Sequence, residues 1–177
     1  MKNRILIALL FITLSIALDF YFYEKLPCRV PTHFNARGMA DGYGSQKIAL
    51  LSFPLAQAFI SALYIISIYT NQQPRYWRKK LKRNVNEDEL KQLISEANHI
   101  IDWVLILTMI MFLYIQCETF LVGAGRQKQL KPEFIFVVIG LQIASVVYML
   151  INQIRRQSQA TKTKADDKIS YTHHKPD

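Results

Sequence analysis

Cysteine is scarce in this sequence, which contains only Cys28 and Cys117. The two residues form no C-x-x-C or Cys/His spacing, which excludes the common zinc sites and a disulfide-rich scaffold, although whether they pair stays open. Nucleotide-binding, G-x-S-x-G and H-E-x-x-H motifs are missing as well. These absences predict a protein that is not an enzyme and has no cofactor and no metal site.

Charged residues are rare in four long apolar blocks, which cover Ile5–Tyr23, Ile48–Thr70, Ile100–Val122 and Phe134–Ile154. A bilayer core of about 30 Å needs about 20 helical residues at a rise of 1.5 Å each, and all four blocks are long enough. The expected fold class is therefore an all-α integral membrane protein with four transmembrane helices over residues 1–157. Residues 71–99 are expected to form a linker, and residues 158–177 a disordered tail.

Acidic residues are also few, since 13 Asp and Glu face 22 Lys and Arg, for a net charge of +9. Basic residues cluster at alternate span ends, and the densest run follows the second span: Arg75, Arg78, Lys79, Lys80, Lys82 and Arg83. This distribution predicts a bacterial cytoplasmic-membrane protein with both termini and the linker in the cytoplasm. The basic run is expected to attract anionic lipid, or a cytoplasmic regulator as a second candidate, and not nucleic acid.

The start of the chain has two interpretations. Lys2 and Arg4 followed by an apolar run could form a signal peptide that is cleaved after Ala17. The apolar run, however, continues through an aromatic cluster to Tyr23, as in an interfacial belt that ends a true span. We therefore expect a first transmembrane helix.

A polar loop with many turn-forming residues separates the first two spans. Pro27 and Pro31 prevent a helix there, and the following residues favour turns and extended backbone, with a short hairpin as one option. We expect an ordered extracytoplasmic loop that binds a ligand or partner. The candidate binding residues are His33, Asn35, Gly38, Asp41 and Tyr43.

The residues of this loop carry a family resemblance. Leu26-Pro27, Pro31 to Asn35, Gly38 and Asp41 to Ser45 are similar to the motif L-P-x-x-[IV]-P-x-H-[FW]-N-x-x-G-x-x-D-x-[WY]-G-S-K. The stretch from about residue 10 to 60 thus resembles the uncharacterised membrane domain that opens the Sdp-type immunity protein family. The resemblance implies immunity or envelope-stress signalling through recognition of an extracellular peptide or membrane-protein partner.

Two acidic residues support an alternative function. Asp19 and Glu118 lie at similar depth near the same membrane face, and carboxylates inside a membrane are functional candidates. Together with His33 they could form an ion or proton site in a small transporter. The simpler interpretation places both in the interface, paired with basic residues of the outer loops. The sequence also leaves open whether Pro54 kinks the second helix or opens it.

Overall fold

The computed structural model describes residues 2–73, 75, 77 and 87–173 of the chain. Within them lie four helices, α1 (Lys2–Phe22), α2 (Gln46–Asn71), α3 (Glu87–Gly123) and α4 (Glu133–His173). Two strands, β1 (Arg29–Phe34) and β2 (Ala40–Ser45), occupy the loop between α1 and α2. We call residues 29–45 the hairpin.

The fold class expected from the sequence needs one correction, because the structure is mostly helical but not all-α. The strands β1 and β2 pair antiparallel, with Arg29 opposite Ser45 and Phe34 opposite Ala40. The register shifts on both sides of His33, so the ladder is irregular there. A proline in β1 is compatible with such a short two-stranded ribbon, because the strand needs few ladder hydrogen bonds.

Local chemistry fixes the helix ends around the hairpin. The Ser45 side chain caps α2 by accepting a hydrogen bond from the Ile48 amide at 3.3 Å. Since α2 already begins at Gln46, Pro54 lies inside the helix rather than in its first turn. Beside the hairpin, α3 ends at Gly123 and is followed by Gly125 with φ of 70°.

The helices are arranged around α3, which packs against α1, α2 and α4. Arg4 contacts Asp102, and Ser15 contacts Gln116, so α1 and α3 run parallel. The helix α2 is antiparallel to both, because Tyr64 reaches Asp102 while Leu50 packs with Phe22 and Phe120. The bundle therefore has a hairpin end, where α1 and α3 finish, and a linker end, where they begin.

Buried side chains form three clusters along this bundle. The cluster at the hairpin end consists of Phe22, Leu26, Val30, Ala49, Leu50 and Phe120. The middle cluster consists of Tyr64, Ile68, Leu105 and Met109, and the cluster at the linker end consists of Trp77, Leu90 and Ala97. The first cluster includes a residue of β1, so the hairpin shares the core of the helices.

Four helices of the described chain are long and apolar enough to cross a membrane, at Asn3–Phe22, Gln46–Asn71, Leu90–Gly123 and Glu133–Asn152. Their outward side chains are large and apolar, as shown by Phe20 (79% exposed), Ile48 (67%) and Tyr148 (65%). Such a surface is unfavourable in water and favourable in lipid. The helices suggest a multi-pass membrane protein.

Two helices extend beyond the apolar blocks of the sequence. The helix of the third span begins at Glu87, so the second half of the expected linker is helical and continuous with this span. The backbone of α4 continues to His173, through a stretch where the sequence analysis expected a disordered tail from residue 158. The expected division into a domain over 1–157 and a tail stays a prediction.

Candidate functional site: an anchored hairpin with an exposed polar face

The base of the hairpin is buried against the helices. Val30 is fully buried in the first core cluster, and its side chain faces Gly123 at the end of α3. A Cβ at Gly123 would lie 2.6 Å from Cγ1 of Val30, so glycine is needed for this close approach. The Gln46 amide also donates to the Cys28 carbonyl at 3.0 Å. The hairpin is thereby joined to both α2 and α3.

The tip of the hairpin is held by the loop between α3 and α4. Gly38 is buried, has φ of 77°, and its carbonyl accepts a hydrogen bond from the Leu130 amide at 2.8 Å. A Cβ at this glycine would lie 1.9 Å from the carbonyl oxygen of Leu130. Gly38 therefore positions the hairpin against a second loop and is not available to a ligand.

Asn35 organises the turn between β1 and β2. Its Oδ1 accepts hydrogen bonds from the amides of Arg37 at 2.9 Å and Met39 at 3.1 Å. Its own amide donates to the Met39 carbonyl at 2.9 Å. Both side-chain and backbone groups of Asn35 thus stabilise the turn, as asparagine commonly does. Only the side-chain Nδ2 of Asn35 has no partner among the described residues, and the binding role of Asn35 stays a prediction.

Three of the predicted residues do face outward from the hairpin. Nδ1 of His33 lies 2.5 Å from Oδ1 of Asp41, and because a carboxylate only accepts, Nδ1 carries the proton in this hydrogen bond. The two side chains are 72% and 44% exposed, and Tyr43 is 54% exposed. We use the name hairpin face for these three exposed residues, of which His33 and Asp41 are joined by a hydrogen bond. It combines an imidazole, a carboxylate and an aromatic ring on one rigid support.

The surroundings of the hairpin face are rich in exposed cations. Six of them belong to the hairpin, to the start of α2 and to the loop between α3 and α4: Arg29, Arg37, Lys47, Arg126, Lys128 and Lys131. Another cation, Lys25, lies with Nζ 3.0 Å from the centre of the Tyr21 ring. Exposed carboxylates nearby are Glu24, Asp41 and Glu133. This end of the protein is therefore net basic.

Asp19 lies in a network between α1 and α3. The buried Gln116 accepts a hydrogen bond from Oγ of Ser15 at 2.7 Å, and its Nε2 donates to the Ser15 carbonyl at 3.0 Å and to Oδ1 of Asp19 at 2.8 Å. Asp19 therefore takes part neither in the expected ion site nor in the expected pair with a basic loop residue. Asp19 is instead partly exposed and is held by a neutral amide.

Glu118 has a different set of partners. It is buried, and it accepts hydrogen bonds from the Lys131 amide at 3.2 Å and from Nε2 of Gln127 at 3.4 Å. Residues two apart on a helix differ by about 200° in direction, so Glu118 faces away from the Gln116 that holds Asp19. Within the described residues, no hydrogen bond or ion pair joins Asp19, Glu118 and His33. The structure does not bring the alternative ion site together.

A third network is centred on Asp102 and was not predicted from the sequence. Arg4 donates to Oδ2 of Asp102 at 2.8 Å, and the Tyr64 hydroxyl donates to Oδ1. The contact joins α1, α2 and α3 at the linker end. The sequence signal that could have indicated this contact is a basic residue at the start of the first span together with an acidic residue at the start of the third.

The remaining predicted features lie partly outside the described residues. Of the basic run, only Arg75 is described, and it is exposed; residues 78–83 lie outside the described part of the chain. Trp77 is buried and donates from Nε1 to the Asn71 carbonyl at 2.8 Å. Cys28 and Cys117 are both free thiols, so they do not pair in this structure.

Comparison with known proteins adds one finding to this geometry. No curated protein and no solved structure matches the chain. Residues 10–58 match a protein family, and they cover most of α1, the whole hairpin and the first half of α2. The family is described only as a domain of unknown function, which is consistent with an uncharacterised membrane domain. A DUF1648 domain is thus present at residues 10–58.

Proposed function

We propose that this chain is a non-enzymatic protein of the bacterial cytoplasmic membrane, with the hairpin outside and both termini inside. The basic run at 75–83 and the pair Arg155-Arg156 follow the two apolar spans that end at the linker end. Basic residues next to spans favour the cytoplasmic side. The hairpin end also carries cations, but they are spread over two short loops instead of forming one continuous run.

The proposed role is recognition of a partner by the hairpin face. The observation that supports it is the contrast between the fixed backbone of the hairpin and the exposed side chains of His33, Asp41 and Tyr43. A rigid surface loses little conformational freedom when it binds, which favours affinity. An exposed tyrosine is also common in binding surfaces.

The resemblance of the loop to the Sdp-type immunity family suggests the outcome of this recognition. We propose that the partner is an extracellular peptide with toxin-like action, or a membrane protein, and that binding gives immunity or envelope-stress signalling. The basic surroundings of the hairpin face favour a partner that presents acidic groups. Anionic lipid, or a cytoplasmic regulator, would contact the basic run at the linker end.

Transport is the alternative that the structure favours less. It required Asp19 and Glu118 to act with His33, and each of the three has its own separate partners. Gln116 does join α3 to α1 through Ser15 and Asp19, and Gln142 joins α4 to Thr108 of α3, but these are hydrogen bonds between packed helices. Such bonds are common in membrane bundles and do not by themselves form a pathway.

A complementation experiment tests the proposal. A strain that lacks the gene is challenged with envelope-active peptides, and the phenotype is complemented with the wild type, His33→Ala, Tyr43→Ala or the control Tyr69→Ala. Tyr69 is also an exposed tyrosine (63%), but it lies near the end of α2 at the linker end. We expect both hairpin variants to lose protection at normal protein levels, and the control to keep it. Full protection by both hairpin variants, with failure of Asp19→Asn or Glu118→Gln, would instead support transport.

A further inference from the structure

An apolar groove runs between α1 and α2 on the outer surface of the bundle, apart from the hairpin face. It has a volume of about 540 Å³ and extends from Ile12 and Ala58 at its deep end to Tyr23 at the hairpin end. This volume lies within the range of small-molecule sites, which is roughly 300–1,000 Å³. Because Ile12 and Tyr23 are eleven positions apart on α1, the groove is about 16 Å long, the length of an extended alkyl chain of roughly a dozen carbons.

One charged group, Asp19, lies among the apolar side chains that line this groove. Its Oδ1 accepts a hydrogen bond from Gln116, and no donor in the described part of the chain reaches Oδ2. The carboxylate sits three residues before the end of α1, or about 4.5 Å inside that helix end. It therefore lies close to the boundary between hydrocarbon and headgroups, where an amphiphile changes from polar to apolar.

The wall of the groove on α2 contains a proline. Leu50 and Pro54 both line the groove, and they are related as positions i−4 and i of α2. Because Pro54 has no amide hydrogen, it cannot donate the usual helical hydrogen bond to the Leu50 carbonyl. The charged acceptor that lines the groove is the Asp19 carboxylate. A primary ammonium has three N–H donors and a positive charge, and it complements this group.

We propose that this groove binds a single-chain amphiphile with a primary ammonium head. The ammonium contacts Asp19 near the aromatic rings of Phe20 and Tyr23, which also attract cations. The alkyl chain lies along the groove toward Ile12 and Ala58. An ordinary phospholipid fits less well, because its polar groups lie beyond the hydrocarbon boundary and its acyl chain brings no donor to the depth of Asp19.

The experiment uses the purified full-length protein in maltoside micelles, with dodecylammonium as the probe and native mass spectrometry as the measurement of Kd. Dodecyltrimethylammonium has the charge without N–H donors, and dodecanol has the chain without the charge. Because a charge-assisted hydrogen bond is the main polar contact, we expect dodecylammonium to bind about tenfold more tightly than either. Equal binding of dodecylammonium and dodecanol, or no binding of dodecylammonium, would overturn the proposal.

Three variants locate the site. Asp19→Asn keeps an acceptor for Gln116 and removes the charge, so dodecylammonium should then bind no better than dodecanol. Ala58→Phe fills the deep end of the groove and should weaken both probes. The control Glu24→Gln removes an exposed carboxylate near the same membrane face and should change nothing. Unchanged binding to Asp19→Asn, or an equal loss in Glu24→Gln, contradicts the proposal. If Asp19→Asn fails to fold, the proposal is tested by the loss of binding in Ala58→Phe and by the order of the affinities of the three probes for the wild type.

Discussion

At the scale of single residues, two glycines with the same backbone conformation have very different surroundings. Gly38 and Gly125 both have positive φ, at 77° and 70°. A Cβ at Gly38 would collide with the Leu130 carbonyl, whereas a Cβ at Gly125 would meet nothing within 4 Å. The pair therefore separates the cost of the backbone conformation from the cost of the close approach.

We expect Gly125→Ala to lower stability by about 1 kcal/mol, the usual cost of a left-handed conformation in a residue with a Cβ. Gly38→Ala should cost about 2 kcal/mol more, because the hairpin must also move away from the loop between α3 and α4. Thermal unfolding of both variants in detergent measures the difference. Similar Tm values for the two variants would show that the hairpin is not packed against Leu130.

The exposed pair of His33 and Asp41 should affect function more than stability. Surface ion pairs contribute about 0–1 kcal/mol, and both side chains are well exposed. We expect His33→Ala and Asp41→Ala to unfold within a few degrees of the wild type while they lose the protective activity proposed above. A large fall in Tm in either variant would mean that the pair supports the fold and not a binding surface.

At the scale of elements, a buried network connects α1 with α3 through Gln116, while a single hydrogen bond connects α3 with α4 through Gln142. Gln116→Leu leaves the buried Ser15 hydroxyl without its acceptor, and we expect a loss of about 1–2 kcal/mol. Gln142→Leu removes one bond at a partly exposed position and should cost about 0.6 kcal/mol. Unfolding in a denaturing detergent compares the two, and an equal or reversed order would contradict this description.

The helices were predictable from the sequence because each needs only local information. Apolar blocks of about 20 residues, glycines after the third span and Pro132 before the fourth indicate the end of α3 and the start of α4 to within a few residues, whereas α3 begins well before its block and α4 ends well after its block. The second span was placed two residues after the start of α2, because the apolar block begins at Ile48 and the helix also includes the polar residues Gln46 and Lys47. The strand pairing depends on contacts between separate segments, and turn residues alone left the hairpin as only one option.

The partners of the candidate residues were much harder to predict. Asp19 bonds to a residue 97 positions away, and Glu118 accepts from a backbone amide, which no side-chain pattern indicates. Gly42 and Gly44 have contacts that the sequence also does not indicate. Neither glycine has positive φ; Gly42 faces the side chain of His33 and Gly44 faces the side chain of Thr32 on the opposite strand. The sequence placed the polar residues of the site between the first two spans, but it did not indicate that His33, Asp41 and Tyr43 lie on strands or which of the residues remain exposed.

At the scale of the whole molecule, the proposed function depends on which side of the membrane the hairpin occupies. The hairpin end holds the DUF1648 segment, the hairpin face and the mouth of the groove. Recognition of an extracellular partner requires this entire end to lie outside. Cys28 stands at the base of the hairpin and is an exposed free thiol, so it reports the position of that end directly.

The most direct test is labelling of Cys28 in a Cys117→Ala protein with a membrane-impermeant maleimide. Spheroplasts that express this protein are treated before and after lysis, and a Cys28→Ser version serves as the control for background. If the hairpin lies outside, we expect full labelling of Cys28 in sealed spheroplasts, with no further gain after lysis. Labelling that occurs only after the cytoplasmic membrane is broken would place the hairpin inside and contradict the proposed recognition of an extracellular partner.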